Sequence, residues 1–137
     1  MSSKKGAVIL YDTTLRDGTQ QEGISLTVKD KLDITTKLDE IGIDIIEGGW
    51  PYSNPKDEEY FRRVSKLELS HSRIAAFGST RRAGTSAAED PNIQALVESK
   101  AEIITIVGKT WDLHVLEVLE TSLDENIGMI RDSISYL

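Results

Sequence analysis

Ala7-Val8-Ile9-Leu10-Tyr11 runs directly into Asp12-Thr13-Thr14-Leu15-Arg16-Asp17-Gly18-Thr19-Gln20, an unbroken apolar run followed by carboxylates, hydroxyls and a guanidinium. The first part reads as a β-strand. Its apolar residues are continuous rather than alternating, as expected of a strand covered on both faces. The second part reads as the loop at the strand's carboxyl end. The same passage from apolar to polar recurs after Ile43–Ile46, Ile74–Phe77 and Ile103–Val107. The intervals are about 30 to 36 residues, the length of one βα unit.

Helices with clear punctuation fill the intervals. Thr27 with Asp30 resembles a capping box, and Val28, Leu32, Leu38 and Ile41 follow at helical spacing until Gly42 ends the helix. Asn54 caps a second helix that opens on Pro55, with Tyr60, Phe61, Val64 and Leu67 as its apolar stripe. Asp90-Pro91 opens a shorter one through Ile93, Leu96 and Val97. Ser122 with Glu125 reads as another capping box, ahead of an apolar stripe of Leu123, Ile127, Ile130, Ile134 and Leu137. Four βα units fit either an open doubly wound sheet or half of a (β/α)8 barrel, whose full complement takes about 250 residues.

Composition narrows the function. With 39% hydrophobic residues in 137, the chain can bury a core. No cysteine is present, so a disulfide framework, a thiolate nucleophile and cysteine-ligated metals are excluded. Acidic residues outnumber basic ones by 23 to 16, giving a net charge of -7 with no Lys/Arg block, so a nucleic-acid partner is not expected. No apolar run approaches the roughly 20 residues of a membrane span, and a cytoplasmic protein is expected.

In both architectures chemistry gathers at the carboxyl ends of the strands. Asp12, Asp17 and Glu47 there are hard oxygen ligands, suited to Mg²⁺ or Mn²⁺. Arg16 can hold developing negative charge, Arg81 or Arg82 can clamp a carboxylate, and His114 can orient substrate or relay a proton. Each residue also has an ordinary structural reading. Asp17-Gly18 makes a turn, Arg16-Asp17 a surface ion pair, Glu47 a cap or salt-bridge member, and Arg81-Arg82 a solvated loop pair. His71 precedes the third strand, at the wrong end, and is given no role.

Taken together, Tyr11 to Gln20 resembles the first-strand signature of the DRE-TIM metallolyases. That group contains 2-isopropylmalate, homocitrate and citramalate synthases and hydroxymethylglutaryl-CoA lyase. Ile46-Glu47-Gly48-Gly49-Trp50-Pro51, Ala75 to Arg82 and Gly108 to Val115 resemble its citramalate synthase branch.

The resemblance implies a TIM (β/α)8 barrel of which residues 1–137 form the N-terminal part, with one divalent metal, Mg²⁺ or Mn²⁺. It implies Asp17 as a metal ligand, Arg16 as the charge-stabilising cation and Glu47 as a substrate-positioning or proton-handling carboxylate. Gln20 would shape the acyl-CoA pocket, and Thr80, Arg81 and His114 would contact substrate. The implied reaction, in a full-length and homodimeric parent, joins acetyl-CoA to pyruvate as (R)-citramalate, a step of isoleucine biosynthesis. The alternatives are another 2-oxo acid, as in 2-isopropylmalate or homocitrate synthases, or a non-catalytic structural fragment. The family's late His-x-His pair is missing, since the two histidines are His71 and His114. This chain alone is therefore expected to be inactive and to expose an apolar face where further units pack.

Overall fold

The computed structural model of the chain describes residues 8–137. Four strands are present: β1 (Tyr11–Asp12), β2 (Ile45–Gly49), β3 (Arg73–Ser79) and β4 (Ile103–Val107). Between and after them lie α1 (Val28–Glu40), α2 (Pro55–Val64), α3 (Pro91–Glu98) and α4 (Leu123–Tyr136). All neighbouring strands pair in parallel, in the order β1-β2-β3-β4. A doubly wound sheet reverses its strand order at a switch point. This one never does, so successive right-handed crossovers put every helix on the same face. The architecture is that of a barrel segment.

The pleat separates two sets of side chains. Ile46, Ile74, Ala76, Ile104 and Ile106 face the helices and join Leu32, Phe61, Val64, Ile93 and Leu96 in the core. The alternate residues, Tyr11, Glu47, Phe77 and Thr105 among them, line the concave face. Three glycines thirty residues apart set the helix layer. A Cβ on Gly48 would lie 2.2 Å from Tyr60, one on Gly78 2.6 Å from Leu96, and one on Gly108 2.9 Å from Ile130. At each place a helix side chain rests on bare backbone.

Most caps form as read. Thr27 and Asp30 close a reciprocal capping box, Asn54 accepts from the Asp57 N–H, and Asp90 accepts from the N–H groups of Asn92 and Ile93. Gly42, at φ +87°, ends α1. Ser122 accepts from the Glu125 N–H, but the Glu125 carboxylate turns to Arg81, so the second box is half made.

Several boundaries and faces differ from expectation. Of the run Ala7–Tyr11, Ala7 lies outside the described residues and only Tyr11 is in β1; with a pairing partner on one side alone, the ladder covers two residues. β2 starts two residues later than expected and runs on through Glu47, because its pairing to β3 continues across a bulge between Glu47 and Gly49. In α1 the buried residues are Lys31, Leu32, Thr35 and Asp39, while Ile41 is exposed. In α4 the inner face is Asn126, Met129 and Ser133. Of the stripe expected to be its core face, Ile130 does reach inward to Gly108, but the rest is turned outward, with Ile127 53% and Ile134 60% exposed. The polar face turns inward on specific hydrogen bonds: Asn126 donates through Nδ2 to the Lys109 carbonyl, and Ser133 accepts the Arg81 N–H, although Asn126 Oδ1 is left without a partner among the described residues. Among the described residues nothing covers Ile127 and Ile134, nor Val8, Ile9 and Leu10 at the opposite edge.

Candidate active site

After β1 the chain turns tightly, with the N–H groups of Arg16, Asp17 and Gly18 all donating to the Thr13 carbonyl. Leu15 is driven into the core, fully buried, and this anchor projects Arg16 back across the strand ends. Its guanidinium is held from three directions. Nε donates to Glu47 Oε1, Nη1 donates to Asp17 Oδ1 at 2.9 Å, and the plane lies over the Phe77 ring, 4.3 Å from its centroid. Phe77 is itself braced edge-on by Trp50, whose indole N–H donates to Asn92 at 2.7 Å. Nη2 has no protein partner among the described residues, so two N–H donors remain available to a substrate anion.

Glu47 is 2% exposed, on a strand whose next residue is backbone pressed against Tyr60. A buried carboxylate persists only when paired and hydrogen-bonded. Glu47 is both: Oε1 takes Arg16, and Oε2 takes the Tyr11 hydroxyl at 2.5 Å. That phenol also lies 2.5 Å from Thr105 Oγ1 on β4. Burial, and then donation to Glu47, push the Tyr11 phenol up to about 12. It is therefore a permanent donor at neutral pH.

The expected residues separate into groups. Arg16, Asp17 and Glu47 converge. Gln20 joins them by a different route, lining with Arg16, Lys31 and Trp50 a cavity of about 630 Å³ beside the cluster. A larger cavity, about 810 Å³, lies between α2 and α3, and none of the converging residues lines it. Thr80 is buried at the β3 end, its N–H donating to the Val107 carbonyl.

Arg81, expected as a substrate contact, is bound here to groups of the chain itself. Its Nε and Nη2 donate to Asp132, and Nη1 to Glu125 and the Arg82 carbonyl, which spends the guanidinium on fastening α4. His114 opens a π-helical turn, His114–Val118, its ring tilted at 60° against Trp111 with centroids 4.7 Å apart, and bonds to none of the cluster.

A divalent cation is implied by the resemblance, and the donor set tests it. Asp17 is well exposed and keeps Oδ2 without a partner among the described residues, as a hard oxygen ligand requires. Asp12 is engaged by the Thr14 N–H and hydroxyl, and both oxygens of Glu47 are taken. Among the described residues no three His, Cys, Asp or Glu side chains gather around one point. Asp17 fits one place in an oxygen shell that these residues do not complete.

Sequence reasoning missed Tyr11, Phe77 and Thr105, and the buried Lys31–Asp57 pair (2.6 Å) under the same strand ends. Thr105 carried a signal, as the one polar side chain in an otherwise aliphatic strand.

Comparison with known proteins accords with this geometry. An (R)-citramalate synthase of Geobacter sulfurreducens is 57% identical over 95% of this chain. A 2-isopropylmalate synthase of Crocosphaera subtropica is 34% identical over 99% of it. The chain spans about a quarter of the length of these relatives, 25% in each case. An HMG-CoA lyase of Acinetobacter baumannii, solved with coenzyme A and 3-methylmalate, superposes with a TM-score of 0.67 at 19% identity, over 100% of this chain and 43% of its own. The family model described as HMGL-like matches residues 7–137, and with the barrel-type winding and the strand-end cluster already in place, the chain belongs to the HMGL-like family.

Proposed function

We propose that the native gene product containing these residues condenses acetyl-CoA with pyruvate to give (R)-citramalate, and that residues 1–137 are the N-terminal part of its catalytic barrel. The observation that carries this reading is the identity of 48 to 57% to (R)-citramalate synthases, against 34% to a 2-isopropylmalate synthase. In the reaction a base takes a proton from the acetyl methyl group, and the resulting carbanion forms the carbon–carbon bond to the keto carbon of pyruvate. The keto oxygen ends as a hydroxyl, and water cleaves the thioester to release coenzyme A.

Negative charge passes through two oxygens on this route, the enolate and the former keto oxygen. Arg16, fixed between two carboxylates and an aromatic face, presents its free Nη2 donors to such an oxygen without having to reorganise. Glu47 holds that guanidinium in place. A divalent Mg²⁺ or Mn²⁺ with Asp17 among its ligands would polarise the 2-oxo acid. Gln20, on the cavity wall beside Arg16, is assigned to the acyl-CoA side. Thr80 and His114 are second contacts at the same mouth. A place in isoleucine biosynthesis follows from the product.

The test is turnover of acetyl-CoA with pyruvate and with 2-oxoisovalerate by the native gene product. Preference for pyruvate supports the proposal. Faster turnover of 2-oxoisovalerate assigns 2-isopropylmalate synthesis instead.

A further inference from the structure

We propose that Tyr11 is a positioning residue for Glu47, acting with Thr105 as a strap across the concave face from β1 to β4. The inference rests on the reading of Glu47 as the carboxylate that holds Arg16 for catalysis.

The direction of each hydrogen bond is fixed by chemistry. An ionised carboxylate only accepts, so the Tyr11 hydroxyl must donate its single proton to Glu47 Oε2. The Thr105 hydroxyl, 2.5 Å from the same phenol oxygen, must then donate to it. The relay runs one way, from Thr105 to Tyr11 to Glu47, and Arg16 closes the other oxygen. Glu47 is thereby held at both oxygens by donors from the β1 end, and its plane cannot rotate without breaking one of them. Arg16 takes its own orientation from that plane. A tilt of Glu47 would carry the free Nη2 donors away from the substrate oxygen.

The strap also depends on the curvature of the sheet. β2 and β3 lie between β1 and β4. Three strand spacings in a flat sheet come to about 14 Å, more than a tyrosine and a threonine side chain span together. The two hydroxyls meet only because the sheet is curled to barrel curvature. The hydrogen bond therefore forms in the curved state alone, and couples the curl of the sheet to the alignment of Glu47. Phenylalanine at position 11 would fill the same space and lose both bonds.

The experiment uses the native gene product with Tyr11→Phe, Thr105→Val and both together, assayed with acetyl-CoA and pyruvate. We expect Tyr11→Phe to lower kcat about tenfold, the scale of one charge-assisted hydrogen bond. The KM for pyruvate should stay within about twofold, since the loss falls on alignment. Thr105→Val should lower kcat less, and the double variant no further than Tyr11→Phe alone, because Thr105 acts through Tyr11.

Unfolding midpoints of Tyr11→Phe, Glu47→Gln and their combination read the contact without catalysis, and should be non-additive. An unchanged kcat in Tyr11→Phe, or additive midpoints, would overturn the inference. If the parent protein turns over neither 2-oxo acid, the functional reading fails, and the unfolding cycle alone then decides whether Tyr11 holds Glu47.

Discussion

Asp57→Asn is expected to destabilise this chain by about 3 kcal/mol, far more than the loss of an ordinary acidic residue from the first turn of α2. Lys31 is 2% exposed, with its ammonium 2.6 Å from Asp57 Oδ1 and 4.9 Å from the centre of the Tyr60 ring. The amide keeps the shape and can still accept the Trp50 N–H that Asp57 Oδ2 now holds. What it removes is the countercharge. Leaving a buried charge unpaired costs about 3–5 kcal/mol. The penalty has a ceiling, because Lys31 can instead shed its proton. From an ordinary lysine value to pH 7 that would cost at most about 4.6 kcal/mol. Burial already holds the Lys31 ammonium below the ordinary value, so the ceiling is lower still.

With an unfolding entropy near 2.1 cal/mol/K per residue, a loss of about 3 kcal/mol lowers Tm by about 10 °C in a unit of this size. The assay is calorimetric unfolding, repeated across pH. In Asp57→Asn the folded state binds fewer protons than the unfolded chain, so its stability should rise as pH climbs toward the ordinary lysine value. Lys31→Met, which keeps an apolar tail against Tyr60, should cost less than Asp57→Asn. A Tm within about 3 °C of the parent for Asp57→Asn, or a larger loss in Lys31→Met, would refute the reasoning.

Arg16→Lys keeps the charge but loses the fork that binds Glu47 and Asp17 together, so kcat in the native gene product should fall about 10²-fold, measured by steady-state assay. Gly48→Ala places a Cβ 2.2 Å from Tyr60, which is fully buried, and should cost at least about 1–3 kcal/mol by urea unfolding. Acid should unfold the chain through Asp39. The N–H groups of Ser72, Ser70 and His71 hold its carboxyl well below the usual range, so its contribution is intact above about pH 4 and is lost as pH falls further. Asp39→Asn should flatten that acid limb in a circular-dichroism titration. The uncovered Ile127 and Ile134 of α4 and the free edge at Val8–Leu10 should make the 137-residue chain self-associate, seen as a mass above monomer in sedimentation.

Much of this arrangement was written openly in the sequence, and what was hidden was hidden for physical reasons. Caps such as Thr27–Asp30 and Asn54 are local chemistry, settled within three residues, and local spacing reveals them. The meeting of Arg16 with Glu47 follows from two strand ends lying side by side, which the βα rhythm implies. Lys31 and Asp39 escaped because charged residues on a helix are ordinarily assigned to its wet face. Their burial depends on partners 26 residues away in one case and 31 to 33 in the other. The α4 stripe misled in the opposite sense. Periodicity identifies an apolar face but not which neighbour will cover it, and here Ser133 and Asn126 win the inner side through hydrogen bonds. Tyr11 stood in the quoted signature without a role, since only the curl of the sheet brings Thr105 to it.

The glycines at 48, 78 and 108 bear on how such a chain can change over generations. Each marks where a strand must show bare backbone to its helix, and Gly48 follows the residue that holds Arg16. A one-residue insertion within β2 would rotate the pleat, turning Glu47 outward against Tyr60 and leaving a glycine on the concave face. Insertions between Pro51 and Asn54, or between Arg82 and Glu89, leave the pleat untouched and lengthen only the rim of the mouth. Drift is thus channelled. The strands tolerate almost no change of length, while the rim is free to vary around a fixed Arg16–Glu47 pair.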